Sequence, residues 1–300
     1  MTKIESTRPL GASGLTVSSL GVGTNKWQYG KNDQTVEEAF KAAVGAGITF
    51  FDTAEGYGMG KSEQLLGKCL QQTDKPVTTA TKYFPFLFRS MDKALDASLK
   101  RLGVKSVDLF FIHFPLGNIE KLMDQMAKAF ENGKIRAVGV SNFSAEQMRQ
   151  AANRLARYNI PLAANEVQYN LLDRKAEING VLNACRELNV ALVAYRPLSG
   201  GRLTVKQTQA TDAHSAADSQ SGKNPEPRDL NWVLQNIADR HGKSVSQVTL
   251  NWLLRRDEHI IPIPGATKAK HLLNNAETLN WEMSEEEFAM IDMASTPANK

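Results

Sequence analysis

The feature that most constrains how this chain can fold is an alternation. Short apolar, β-rich runs take turns with amphipathic helical runs from one end to the other. The strand candidates are residues 19–24 (SLGVGT), 48–51 (ITFF), 77–81, 107–112 (VDLFFI), 135–140, 162–167, 190–194 and 260–263. Helical spacing follows them over 34–45, 62–70, 91–102, 119–130, 145–157, 175–188, 245–255 and 269–279, with a terminal helix over 284–293. Continuously apolar strands joined by crossover helices predict a parallel sheet covered by helices. Eight such units in about 280 residues predict a closed α/β architecture, the (β/α)8 TIM barrel, with 1–300 as a single domain. The rival is an open doubly wound sheet. Its nucleotide fingerprint is absent, because Gly21-Val22-Gly23 runs on into Thr24-Asn25-Lys26.

Two segments stand outside the rhythm. Residues 8–18, with Gly11 and Ser13-Gly14, read as a small N-terminal β-hairpin. Residues 199–229 are polar and carry Pro225 and Pro227. They form a long loop after strand 7, at the mouth where barrel active sites are built. A lid or clamp is the first reading of that loop and an interdomain linker the second.

Composition excludes several classes. Apolar residues are 42% and charged residues 23% of the chain, a globular balance that needs no metal or disulfide to hold it. The net charge of +4 comes from interspersed charges and contains no basic stripe, so no nucleic-acid partner is expected. Cys69 and Cys185 lack ligand spacing and read as reduced thiols. No run approaches a membrane span and Met1–Glu5 has no apolar leader, so the chain reads as cytoplasmic. Gly56–Ser62 imitates a P-loop, but only three residues separate its outer glycines where four are required.

The chemistry gathers at strand ends. Asp52 and Tyr57 follow the second strand, Lys82 the third and His113 the fourth. Each has a plain structural explanation alone: a turn cap, a surface aromatic, a solvated charge, a core histidine. On a barrel, all four converge on one mouth. A lysine beside a phenol lowers its pKa by favouring phenolate, an aspartate holds the lysine charged, and a histidine can bond a carbonyl oxygen. Together they make a proton donor suited to reduction of an aldehyde or ketone by hydride.

The runs FDTAEGYGMGKSEQLLG, TKYFP, DLFFIHFP, GKIRAVGVSNFS and IPIPGATKAKHLLNNA resemble the aldo-keto reductase family, and the resemblance extends from about Pro9 to Ala294. It implies an NADPH/NADP+ cofactor held across the barrel mouth without a Rossmann unit. It also implies a catalytic tetrad of Asp52, Tyr57, Lys82 and His113, with Tyr57 as general acid. By the same resemblance, Ser141 and Asn142 meet the nicotinamide carboxamide, although Ser141–Phe143 also reads as a helix N-cap. Tyr195 would stack on the ring, and Pro197, Leu198 and Gly200 would hold the pyrophosphate. Gly265, Ala266, Thr267, Lys268, His271 and Asn275 would surround the adenosine phosphate, with Gly23 and Thr24 completing the cofactor set.

The chain departs from the family in three places. Glu166 stands where glutamine is usual. As a carboxylate it would accept from the carboxamide without donating and would favour the oxidised cofactor. Arg196 replaces a small serine and can pair with a phosphate. His271 and Asn274 stand where relatives carry Arg or Gln and Glu. Trp27 and Phe84 are the expected walls of the substrate pocket, beside Tyr57 and His113; Tyr83, Phe114 and Trp252 are further apolar candidates. The expected partner is a small carbonyl substrate and the expected state a monomer. The resemblance leaves two other readings open: a regulatory, redox-sensing subunit like the potassium-channel β-subunits, and a pyridoxal reductase.

Overall fold

The computed structural model describes residues 4–29, 33–85, 90–204 and 229–296. A hairpin of β1 (Thr7–Pro9) and β2 (Thr16–Ser18) precedes the main sheet. Eight strands follow in strict chain order: β3 (Gly21–Gly23), β4 (Phe50–Asp52), β5 (Thr78–Tyr83), β6 (Val107–Ile112), β7 (Ile135–Ser141), β8 (Leu162–Gln168), β9 (Ala191–Tyr195) and β10 (Ile260–Pro262). All neighbours are parallel. A parallel bridge between Gly23 and Gly265 brings the two edges together, so the sheet closes on itself as a (β/α)8 barrel.

The crossovers are α1 (Asp33–Gly45), α2 (Lys61–Leu70), α3 (Met91–Leu102), α4 (Ile119–Glu131), α5 (Ala145–Ala156), α6 (Lys175–Ile178), α7 (Val181–Leu188), α8 (Leu230–His241), α9 (Val245–Arg256) and α10 (Ala269–Ala276). α11 (Glu285–Ser295) ends the fold. The helix expected over 175–188 is two helices, because Gly180 takes a left-handed conformation between them (φ 80°). That expected over 269–279 finishes as a 3-10 turn, Glu277–Asn280. α8 is absent from the sequence reading although Leu230, Val233, Leu234, Ile237 and Ala238 are buried at helical spacing. The polar tract before it hides the start. Of the loop expected over 199–229, residues 199–204 are described and open with a 3-10 turn, Ser199–Gly201. The lid reading of 205–228 lies outside the described residues.

Strand period two sorts side chains between two cores. Val107, Phe110, Ile112, Val138, Val140, Leu192 and Ile260 face outward against the helices. Phe50, Ala80, Leu109, Phe111, Ala137, Ala164, Ala191, Val193 and Ile261 fill the barrel. Leu10 and Val17 join this inner group from the hairpin, which plugs the N-terminal end. The plug sits close because Gly11 has no side chain: a Cβ there would lie 2.4 Å from the Ala163 carbonyl oxygen. Large and small residues alternate inside, as a tapering interior requires. Gly139 is one of the small ones, and a Cβ there would lie 2.5 Å from the Phe111 ring. Gly139→Ala is therefore expected to destabilise the barrel by about 1–3 kcal/mol through overpacking. An unchanged denaturation midpoint would show that Phe111 simply moves aside.

Candidate active site

Because the same parity continues to the strand ends, the residues one step beyond the inner core project into the open C-terminal mouth. Asp52 ends β4 two residues after Phe50, Lys82 follows Ala80 on β5, and His113 follows Phe111. Ser141, Glu166 and Tyr195 arrive the same way from β7, β8 and β9. The neighbour register Ser141–Glu166 and Gln168–Tyr195 aligns these ends in one layer.

Lys82 is the centre of the layer and is fully buried. Its Nζ donates to Asp52 Oδ1 and Oδ2 at 2.6 and 2.5 Å and to the Thr53 carbonyl at 3.0 Å. The Tyr57 hydroxyl oxygen accepts from it at 3.4 Å, and Glu166 Oε2 lies 3.2 Å away. His113 meets the Tyr57 ring edge-on, with centroids 5.8 Å apart. It stacks on Phe114 at 4.7 Å, and Phe84 meets it edge-on at 5.5 Å. A second network holds the ends of β6, β7 and β9 together. Tyr195 donates to Asn142 Oδ1 at 3.0 Å, and Asn142 Nδ2 donates to the His113 carbonyl at 3.1 Å. Asn142 reaches both partners from a left-handed backbone (φ 62°), which asparagine tolerates. The helix cap suspected at Ser141–Phe143 falls instead on Ser144, whose hydroxyl accepts from Gln147 N in a capping box.

Burial decides the protonation states. It pushes the His113 imidazole down to about 3, with the charge on Lys82 acting in the same direction, so His113 is neutral at physiological pH. It also lifts the Tyr57 phenol above its ordinary value. Lys82 pulls the other way, as expected from the sequence, but Asp52 and Glu166 add to burial and the net shift is upward. Burial would discharge Lys82, yet Asp52 and Glu166 outweigh that and keep it charged. Burial raises both carboxyls too, and Asp52 pushes Glu166 well above the usual carboxylate range.

Above this floor opens a cavity of about 950 Å³. Asp52, Tyr57, His113, Ser141, Asn142, Glu166 and Tyr195 line one part of it. Arg196, Pro197, Leu198 and Gly200 line another, and Gly23, Gly265, His271 and Asn275 a third. Several expected residues lie off this wall. Trp27 is fully buried, its indole donating to the Ala266 carbonyl at 2.8 Å and packing on Phe51; it is a core residue rather than a pocket wall. Thr24 is buried and spends its hydroxyl on the Asp52 carbonyl at 2.9 Å. Ala266 is buried behind the wall, and Thr267 and the exposed Lys268 are not part of it. Phe84 stands behind the wall against His113 and Phe114, both of which reach the cavity. Tyr83 and Trp252 are core. Residues missed at the sequence level also line it: Asn25 and Lys26 after β3, and Ser244 and Ser246 at the start of α9. Nothing in their local pattern marks them, because they reach the cavity only when the barrel closes.

Comparison with known proteins places the chain in a family. The sequence model of the Aldo/keto reductase family matches residues 19–296. The chain belongs to the aldo/keto reductase family. It is 30% identical to the chloroplastic pyridoxal reductase of Arabidopsis thaliana, covering 95% of this chain and 85% of that one. It is 33% identical to the NADP(+) aldo-keto reductase yakc of Schizosaccharomyces pombe, over 90% and 86%. An aldo-keto reductase from Klebsiella pneumoniae, solved in complex with NADPH, superimposes with a TM-score of 0.80 at 28% identity, covering 100% of this chain and 98% of that one.

Within this aldo-keto reductase, the departure at Glu166 has a different meaning from the one its sequence suggests. A carboxylate standing free beside the cofactor would favour the oxidised form. Glu166 instead turns into the buried centre beside Lys82 and Asp52, where burial and the Asp52 carboxylate hold its pKa well above the ordinary carboxyl value. Gln168, two residues on, is held by Asp173 Oδ2 at 2.8 Å. Asn274 is likewise tied down, donating to the hydroxyls of Ser244 and Ser246 at 3.1 and 3.0 Å. As for the membrane, no helix among the described residues is long and apolar enough to cross one.

Proposed function

We propose that this aldo-keto reductase reduces aldehydes and ketones to alcohols with NADPH, and that Tyr57 gives the proton. The observation that carries the reading is the Tyr57 hydroxyl on the cavity wall, 3.4 Å from the buried, charged Nζ of Lys82. The lining fits a long anionic cofactor. It has a volume of about 950 Å³, within the range of ligand sites, the cations Lys26 and Arg196, and the amides of Asn142 and Asn275. A dihydronicotinamide held there would supply the hydride that the carbonyl carbon needs. Tyr57 releases its proton to the carbonyl oxygen, and the phenolate left behind faces the Lys82 ammonium. Asp52 keeps that ammonium oriented. Neutral His113 offers a hydrogen bond to the substrate oxygen without competing as an acid. Phe114 supplies an apolar wall beside it.

The direct test follows NADPH absorbance with a panel of aldehydes. The Arabidopsis relative is named a pyridoxal reductase, so pyridoxal belongs in the first panel. Turnover with at least one aldehyde is expected; binding of NADPH with no turnover across the panel would favour the regulatory-subunit reading instead. Preference for NADPH over NADH is assigned to the start of α10, where Lys268 is exposed. Solvent screens an exposed pair, so Lys268→Ala should weaken NADPH by about threefold to tenfold and leave NADH nearly unchanged. Equal weakening of both in a fluorescence titration would remove Lys268 from that role.

A further inference from the structure

Five oxygen atoms crowd the Lys82 ammonium, which has three protons to give. Two carboxylate oxygens of Asp52 lie at 2.6 and 2.5 Å, the Thr53 carbonyl at 3.0 Å, Glu166 Oε2 at 3.2 Å and the Tyr57 hydroxyl at 3.4 Å. Asp52 takes the short contacts. Glu166 Oε2 is buried and accepts no well-directed hydrogen bond. Asp52 and Glu166 are 1% and 2% exposed, so solvent neutralises neither. With both ionised, the trio would carry a net negative charge in a dry site, which is costly. One proton makes it neutral. The geometry gives that proton to Glu166, because Asp52 is the carboxyl chelated by the ammonium and Glu166 is the one left over.

We propose that Glu166 holds a proton in the resting enzyme and serves as the proton store that restores Tyr57 through Lys82. The proposal rests on the assignment of Tyr57 as proton donor. After the phenol has given its proton to the substrate oxygen, Lys82 Nζ returns one to the phenolate and the Tyr57 O–H bond re-forms. The neutral amine then takes the proton from the Glu166 carboxyl, leaving the ammonium between two carboxylates. Glu166 lines the cavity, so water entering as product leaves can restore its proton. Glu166 acts through Lys82, so it is a positioning and proton-holding residue, not one that touches the reacting atoms. The charged and titratable groups facing it are Asp52 from β4, Tyr57 from the loop after β4, Lys82 from β5 and Tyr195 from β9. His113, at the end of β6, is neutral beside Lys82. Burial and Asp52 both favour the protonated acid.

The test has two arms. Infrared spectra of the cofactor-free protein at neutral pH should contain a protonated carboxyl band. Labelling glutamate carboxyls with carbon-13 should shift that band, and Glu166→Gln should abolish it. A band that ignores the glutamate label, or the absence of any such band, overturns the proposal without reference to catalysis or to any variant. In the second arm, kcat for aldehyde reduction should fall about tenfold per pH unit above the Glu166 ionisation. That break should vanish in Glu166→Gln, which keeps the shape of the side chain. A uniform loss at every pH, or a profile identical to the parent, would assign Glu166 a packing role and refute the store. Loss of turnover in Tyr57→Phe is the separate check on the reading beneath it: if that variant turns over normally while the labelled band is present, Tyr57 is at fault rather than the proton on Glu166.

Discussion

Tyr57→Phe is expected to lower carbonyl reduction by a factor on the order of a hundred or more while leaving NADPH affinity nearly intact. The ring remains, so its edge contact with His113 and its position over Lys82 survive. Only the hydroxyl is lost, and with it the proposed proton donor 3.4 Å from Nζ. The loss should fall on kcat and kcat/KM together, as for an interaction made in the transition state. The upward shift of the phenol sharpens the expectation. Tyr57 stays protonated through neutral pH, so the parent enzyme should show no fall in reduction rate from tyrosinate formation in that range. Steady-state kinetics with one good aldehyde substrate decides it. Turnover within a few-fold of the parent would take Tyr57 out of the mechanism.

The second large effect is on stability, and it requires two substitutions. Removing one partner from a buried ion pair usually costs about 3–5 kcal/mol, because the other charge is left alone. Lys82 has a second carboxyl within 3.2 Å, so Asp52→Asn alone should cost less: Glu166 can give up its proton and take the ammonium as partner. Asp52→Asn combined with Glu166→Gln leaves Lys82 buried with no anion among the groups that touch it, and should incur the full cost. A double-mutant cycle by chemical denaturation should therefore be strongly non-additive. Strict additivity would mean that the two carboxyls do not share the lysine.

A pH series gives the same cycle a sign. Glu166 has an ordinary value of 4.5 when unfolded and a raised one when folded. The folded state then binds more protons between those two values, so the contribution of Glu166 to stability is complete below 4.5 and is lost as pH rises through the folded value. Stability of the parent should decline over that window relative to Glu166→Gln.

The alternation of eight apolar runs with helices was enough to specify the barrel, since each unit carries its own period and its own crossover. The plugging hairpin was legible for the same reason. Residues 8–18 hold turn-forming glycines at Gly11 and Gly14, and both take left-handed backbones. Position at the ends of the second, third and fourth strands also placed Asp52, Lys82 and His113 at one mouth, since all strand ends of a parallel barrel face the same way; that each lies two steps past an inward Phe50, Ala80 or Phe111 is seen only in the structure. Each of these inferences uses information within about ten residues of chain.

What only the tertiary structure decided is which inward residues meet, and how dry the meeting place is. β6 and β7 stand between β5 and β8 in the sheet, so Lys82 and Glu166 touch across the mouth of the closed barrel and not along a strand ladder. No periodicity encodes that distance. Trp27 shows the same limit: its composition suits a pocket wall, but closure at Gly23 and Gly265 brings the Ala266 carbonyl over its indole and seals it in the core. Lys82 pulls the phenol of Tyr57 down, as its motif implies, but burial, Asp52 and Glu166 outweigh it and the net shift is upward. Desolvation depends on everything packed around a group, which is set by closure of the whole barrel, whereas the sign of a single neighbouring charge can be read from a motif.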